Sequence, residues 1–217
     1  MLPKEEALHA IIDVGVVAIL RLDASAQLQK AAQAIQAGGI RAIEFTMTTP
    51  GALDTLEEVA RHLDKNTVLG AGTVLDTETA RAVILAGAKF IVAPNLNLDV
   101  IAIAHRYSVA VIPGALTPTE ILTAWEAGAD LVKVFPASIG GPELIKALRG
   151  PLPHIKMIPT GGVDLTTTAA FIKAGSSAVA VGGNLVNNDI IQRGEFEKIT
   201  ALAKQYVKIV SQARRVN

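Results

Sequence analysis

The 217-residue sequence contains no cysteine. That absence excludes disulfides, thiol nucleophiles and cysteine metal sites together, and is compatible with a reducing compartment. Aromatic residues are scarce at 4%, too few rings for a base-stacking platform. Net charge is also missing, since 20 Lys+Arg balance 20 Asp+Glu without blocks of either sign. No global field draws nucleic acid or an anionic membrane, so neither is an expected partner. No apolar stretch is long enough to span a bilayer, and Met1-Leu2-Pro3-Lys4-Glu5-Glu6 lacks the basic-then-apolar signal pattern. A soluble, cytoplasmic protein is expected.

What the chain has in quantity is aliphatic residues. Half of it is hydrophobic, mostly Ala, Val, Ile and Leu, ample for one large core. With no low-complexity linker and no shift in composition, residues 1–217 read as a single domain. A phrase repeats along it: Ala-Gly, a short polar stretch, then an apolar strand. It begins at Ala37-Gly38, Ala86-Gly87, Ala127-Gly128 and Ala174-Gly175, leading to Ile40–Phe45, Phe90–Ala93, Leu131–Phe135 and Ala178–Val181. The phrase is that of a helix ended by glycine and turning into a strand. Val16–Leu20, Thr67–Leu69, Ala110–Ile112 and Ile155–Ile158 are further strands of the same kind. Thr49-Pro50, Asp76, Thr117-Pro118 and Asp164 read as helix starts. Eight strands alternating with helices imply a parallel sheet with right-handed crossovers. The most economical closure is a (βα)8 TIM barrel with an N-terminal helix over residues 3–14. An open doubly wound sheet is the alternative, and the lack of G-x-G-x-x-G in the first βα turn weakens its dinucleotide-binding form.

In such a barrel, active-site groups lie at the C-terminal ends of the strands. Those ends carry Arg21, Glu44, Gly70-Ala71-Gly72-Thr73, Pro94, Pro113-Gly114, Lys133-Val134-Phe135-Pro136, Pro159-Thr160-Gly161-Gly162 and Gly182-Gly183-Asn184. Lys133 is the unusual one. It interrupts the apolar run Leu131–Phe135, and a buried lysine loses its proton more readily and becomes an amine nucleophile. The competing reading is a strand-end lysine whose stem snorkels to water. Alternation puts Leu131, Lys133 and Phe135 on one face, and likewise turns Glu44 away from Ile43 and Phe45, into the barrel beside Lys133. A carboxylate there suits proton shuttling, whereas a purely structural buried ion pair is a poor stabiliser. Lys156 and Lys89 begin their strands, and Lys30, Lys146, Lys173, Lys198 and Lys204 fall on helices. His9, His62, His105 and His154 are off the rim, so no metal is expected. The Gly-Gly pairs at 161–162 and 182–183 sit where barrels hold phosphate on backbone N–H groups; simple tight turns are the plainer reading.

Gly70-Ala71-Gly72-Thr73-Val74-Leu75, Pro113-Gly114 with Thr117 and Glu120, Lys133-Val134-Phe135-Pro136 and Pro159-Thr160-Gly161-Gly162-Val163 together resemble the KDPG/KHG aldolases, in register from about Val16 to Asn184. The resemblance implies a class I, Schiff-base aldolase on a (βα)8 barrel, typically homotrimeric. Such enzymes need no cofactor and take 2-keto acids. They split 2-keto-3-deoxy-6-phosphogluconate into pyruvate and glyceraldehyde 3-phosphate, and some members split 4-hydroxy-2-oxoglutarate into pyruvate and glyoxylate. It makes Lys133 the Schiff-base lysine and Glu44 the acid/base, with Thr73 at the pyruvyl carboxylate and Pro94 and Phe135 lining the pocket. Thr160, Gly161, Gly162, Gly182, Gly183 and Asn184 take the substrate phosphate. Two positions depart from the pattern. Thr48 stands where many members have an anion-binding arginine, a charge that Arg21 is placed to supply, and Asn184 stands where the family often has serine. The galactonate-derived epimer as substrate, a phosphosugar isomerase or epimerase, and a non-catalytic oligomeric scaffold are the alternative readings.

Overall fold

The computed structural model describes residues 3–22, 27–64 and 66–215; the outermost ends of the expected domain, Met1-Leu2 and residues 216–217, lie outside the described residues. Helix α1 (Pro3–Val14) comes first, matching the expected 3–14. Strands then alternate with helices: β1 (Val16–Leu20), α2 (Leu28–Ala37), β2 (Ala42–Thr46), α3 (Ala52–Ala60), β3 (Val68–Gly72), α4 (Thr77–Leu85), β4 (Phe90–Val92), α5 (Leu98–Arg106) and β5 (Ala110–Ile112). The second half runs β6 (Gly114–Ala115), α6 (Pro118–Glu126), β7 (Val132–Val134), α7 (Gly141–Arg149), β8 (Met157–Pro159), α8 (Thr168–Lys173), β9 (Val179–Val181), α9 (Asn188–Gln192) and α10 (Phe196–Arg214).

Every strand pairing is parallel. Six strands form a curled sheet in the order β5-β4-β3-β2-β1-β9, and three form a second in the order β6-β7-β8. The fifth strand lies where it was expected, at Ala110–Ile112, and the strand end after it carries a separate short strand, β6, in the second sheet. β5 and β6 do not run on as one strand. Between them stands Pro113, which has no N–H to give to a ladder. Its carbonyl still accepts from the Lys133 amide at 2.8 Å, and the Asp130 amide reaches the Val111 carbonyl at 3.0 Å. At the other seam a parallel bridge joins Thr160 to Ala180.

The Ala-Gly phrase does what its chemistry requires. Ala86, Ala127 and Ala174 are the C-caps of α4, α6 and α8, and the glycine after each takes a left-handed φ, +104°, +96° and +101°. A β-carbon disfavours that conformation, so glycine ends the helix there. After α2 the left-handed residue is Gly39, one position later. Of the expected helix starts, Asp76 caps α4 by accepting from the Thr79 amide (2.6 Å), and Thr117 with Glu120 forms a capping box on α6. Thr49-Pro50 and Asp164 do not cap helices. α3 starts after left-handed Gly51, and Asp164 instead accepts from Thr166 and Thr167 in the turn before α8.

Two apolar layers follow from strand alternation. Outward residues such as Ile43, Phe45, Val132 and Val134 pack with the helices. Inward residues such as Val17, Phe90, Ile112, Leu131 and Ile158 form a separate core, joined by Ala7, Ala10 and Ile11 of α1. α1 thus covers the strand starts and leaves the strand ends free for a site. Lys4 holds it by an ion pair with Asp130 (2.8 Å), whose other oxygen accepts from the Val111 amide (3.0 Å).

Ile11 is fully buried in this seal. Ile11→Ala should cost about 2–5 kcal/mol of unfolding free energy, measured by denaturant titration, with little change in turnover because α1 lies at the end opposite the strand termini.

Candidate active site

Glu44 lies mid-strand in β2, aligned with Ile19 of β1 and Gly70 of β3. Ile43 and Phe45 go outward to the helices, so the carboxylate points inward, 2% exposed. The inner surface is cut away to receive it. A β-carbon on Gly72 would overlap Glu44 Oε1, and one on Gly70 would overlap the Phe90 ring. These glycines belong to β3 itself, which extends to Gly72 and not only to Leu69 as the alternation suggested. Their reason is clearance, which their place at a strand end does not by itself reveal.

Lys133, central in β7, is 6% exposed, and its Nζ lies 5.0 Å from the centre of the Phe135 ring. It does not snorkel. Burial lowers its pKa from the ordinary 10.5; the Glu44 carboxylate opposes that effect and the Arg21 guanidinium adds to it. Burial raises the Glu44 pKa from 4.5, opposed by the charges of Lys133 and Arg21. Among the described residues the two make no direct ion pair, so the amine is left unengaged by a carboxylate. Between them, with Thr160 and apolar side chains of the inner core, is a space of about 10 Å³, the least volume that accommodates one water.

Above this floor opens a cavity of about 440 Å³. Arg21, Phe135, Thr160, Gly161, Gly162, Gly182, Gly183 and Asn184, all expected at the site, line it together. Thr160 lines both spaces; it is 6% exposed and its hydroxyl meets no partner. Gly161 and Gly162 have φ of +87° and +74°, and among the described residues their amides meet no backbone acceptor, leaving a nest of N–H groups suited to an anion. Asn184 spends one amide hydrogen on the Val163 carbonyl (2.8 Å), tying the loop after β9 to the loop after β8.

Glu44 and Lys133 line only the small space beneath it, and three further expected residues line neither. Thr48 is exposed and donates to Thr46 Oγ1 (3.3 Å). Pro94 is half-buried, its backbone pressed against Gly114. Thr73 is half-buried with a φ of +58°, which costs a β-branched residue about 1–3 kcal/mol and marks a place held by its surroundings. The sequence reading missed Asn187 and Asn188, which also line the cavity. They follow the last strand closely, and the strand-end rule, carried past Asn184, would have reached them. Lys30, Lys146, Lys156, Lys173, Lys198, Lys204 and all four histidines are exposed, and among the described residues no three His, Cys, Asp or Glu side chains gather as metal ligands would.

The family model for KDPG and KHG aldolase matches residues 9–202. The chain belongs to the KDPG/KHG aldolase family. It is 36% identical over 207 residues to a 2-dehydro-3-deoxy-phosphogluconate aldolase of Treponema pallidum, covering 94% of this chain and 96% of that protein. Among solved structures, a native KDPGal structure superposes with a TM-score of 0.85 at 31% identity, covering 92% of this chain and 96% of that one. KDPG aldolase from Legionella pneumophila, with pyruvate captured as a covalent carbinolamine, superposes at 0.82 and 26% identity over 94% of this chain and 97% of that one. The protein is therefore an aldolase, a carbon–carbon lyase.

Two outcomes follow. Gly72→Ala should displace the Glu44 carboxylate and lower turnover by about 10- to 100-fold with the fold retained by circular dichroism. Because burial lowers the Lys133 pKa, the reactive amine gains population as pH rises and is lost as pH falls through a value below 10.5; the rate of imine formation should rise with pH and level off before that value is reached.

Proposed function

We propose that the protein is a class I aldolase that cleaves 2-keto-3-deoxy-6-phosphogluconate to pyruvate and glyceraldehyde 3-phosphate, and also acts on 4-hydroxy-2-oxoglutarate to give pyruvate and glyoxylate. The observation that carries this reading is a buried, unpaired Lys133 amine beside a buried Glu44, on the floor of a cavity with a cationic and N–H-rich wall.

In the cycle, neutral Lys133 attacks the C2 carbonyl of the substrate and forms a carbinolamine. Loss of water gives a protonated imine, which draws electrons from the neighbouring carbon. Glu44, acting directly or through one water, takes the proton of the C4 hydroxyl as the C3–C4 bond breaks. The aldehyde leaves, and the electron pair of that bond forms an enamine on C3. Glu44 returns its proton to C3, and hydrolysis of the imine releases pyruvate and frees the lysine. Covalent catalysis divides one carbanion-forming step into easier ones, so the cycle calls for no cofactor and no metal. The raised pKa of Glu44 suits a group that both accepts and donates.

The substrate carboxylate meets Thr73, with Pro94 and Phe135 bounding the pyruvyl end, and Arg21 supplies the cation that Thr48 does not. The phosphate is received by Thr160, the Gly161-Gly162 nest, Gly182-Gly183 and the remaining amide hydrogen of Asn184. The nine strands close into one (βα)8 barrel domain over residues 1–217, supported by the bonds at both sheet seams. A cytoplasmic homotrimer is the expected assembly, and exposed Leu75, Leu85 and Leu98 offer apolar surface for it. The galactonate-derived C4 epimer is the second reading, favoured by Thr48 and by the likeness to the KDPGal structure.

Pyruvate release should be measured from both C4 epimers, each with and without its 6-phosphate. The gluconate-derived phosphate ester is expected to be cleaved fastest, and Lys133→Ala should abolish release from all four. Faster cleavage of the galactonate-derived ester reverses the epimer assignment. Equal rates without phosphate remove the phosphate role of the two Gly-Gly loops, and full activity of Lys133→Ala removes the imine mechanism.

A further inference from the structure

Arg21 is exposed at the end of β1, and a cation on a strand-end loop is useful to a substrate only if its backbone is held. The two residues flanking it are tied to the end of β2 and to the loop after it. The Leu22 amide donates to Thr49 Oγ1 at 3.2 Å, and Thr46 Oγ1 donates to the Leu20 carbonyl at 3.2 Å. Thr46 and Thr49 face each other at 3.4 Å. One arrangement of hydrogens satisfies the whole circuit. Thr46 spends its hydrogen on Leu20, so Thr49 donates to Thr46 while its own oxygen receives Leu22. Thr48 adds a further donor to Thr46 at 3.3 Å. Thr46 and Thr49 are 1% and 3% exposed, so these hydroxyls exchange little with water.

We propose that Thr46 and Thr49 are positioning residues for substrate binding, a hydroxyl clamp that fixes the backbone on both sides of Arg21 and so aims its guanidinium into the cavity. The inference rests on the reading of Arg21 as the cation that meets the substrate anion. It gives the Thr46–Thr49 segment a physical role in a chain that lacks arginine at position 48. The charge is taken from the neighbouring strand, and the loop that would otherwise carry it holds that strand end in place. Arg21 is the one cationic side chain lining the larger cavity among the described residues, so loosening its anchor should weaken capture of the anion more than the chemistry at Lys133, whose pKa is lowered first by burial and only then by Arg21.

The test is steady-state kinetics on Thr49→Val, Thr46→Val, Thr49→Ser and Arg21→Met, with the Thr49→Val/Arg21→Met double variant, on the phosphorylated keto acid that the enzyme cleaves. Valine keeps the shape and removes the hydroxyl, whereas serine keeps the hydroxyl. Either valine variant should raise KM by about five- to tenfold with kcat within about twofold, and Thr49→Ser should restore KM. In the Arg21→Met background, Thr49→Val should add less than about twofold, because what it positions is gone. An Arg21→Met enzyme with unchanged KM overturns the reading of Arg21 itself. Where Arg21→Met raises KM, an unchanged KM in both valine variants overturns the clamp, as does an equal rise in the presence and absence of Arg21. Thermal unfolding identifies any variant that fails to fold; if one valine variant does, the other and Thr49→Ser carry the same comparison.

Discussion

Removing an amine from water is the constraint on which the rest of this structure depends. Lys133 sits among apolar side chains of the inner core at 6% exposure, and the energy of keeping a charge there favours the neutral form. Glu44 works against that effect without closing an ion pair, and Arg21 works with it. The balance leaves an amine that is buried yet unclaimed. A direct ion pair would have fixed both groups in their charged, unreactive states, and exposure would have left the amine fully protonated.

The fold is arranged around this balance. Strand alternation sends Ile43, Phe45, Val132 and Val134 to the helices and brings Glu44 and Lys133 to one interior. Helix α1 covers the opposite end with Ala7, Ala10 and Ile11, and the larger cavity opens among the strand-end loops. Glycines at 70 and 72 remove the volume that Phe90 and Glu44 occupy. The cavity above is walled in part by the loops after β8 and β9, joined through Asn184 to Val163, and by Arg21, whose neighbours Leu20 and Leu22 are hydrogen-bonded to Thr46 and Thr49.

Much of this was legible in the residues because it follows from period and punctuation. The helix–strand alternation comes from the Ala-Gly punctuation between apolar runs, and the inward direction of Glu44 and the shared rim of Arg21, Phe135, Thr160 and the Gly-Gly loops come from the two-residue period and the strand-end rule. Other features escaped because they are set by neighbours distant in sequence. Gly72 read only as part of a strand end, since nothing adjacent to it in the chain reveals Glu44 across the sheet. Pro113-Gly114 read as a plain strand end, whereas Gly114 begins a further short strand, separated from β5 by a proline that has no N–H. Thr49 read as a helix cap, whereas its hydroxyl is committed to Leu22 and Thr46. Short-range pattern therefore located the chemistry, and tertiary contact decided what surrounds it.

The most direct measurement is covalent trapping. Incubation of the protein with pyruvate and borohydride, followed by proteolysis and mass spectrometry, should place one reduced pyruvyl adduct on the peptide containing Lys133, with formation faster as pH rises toward the level region set by its lowered pKa. An adduct on a different lysine, or no adduct on folded protein, would contradict the account.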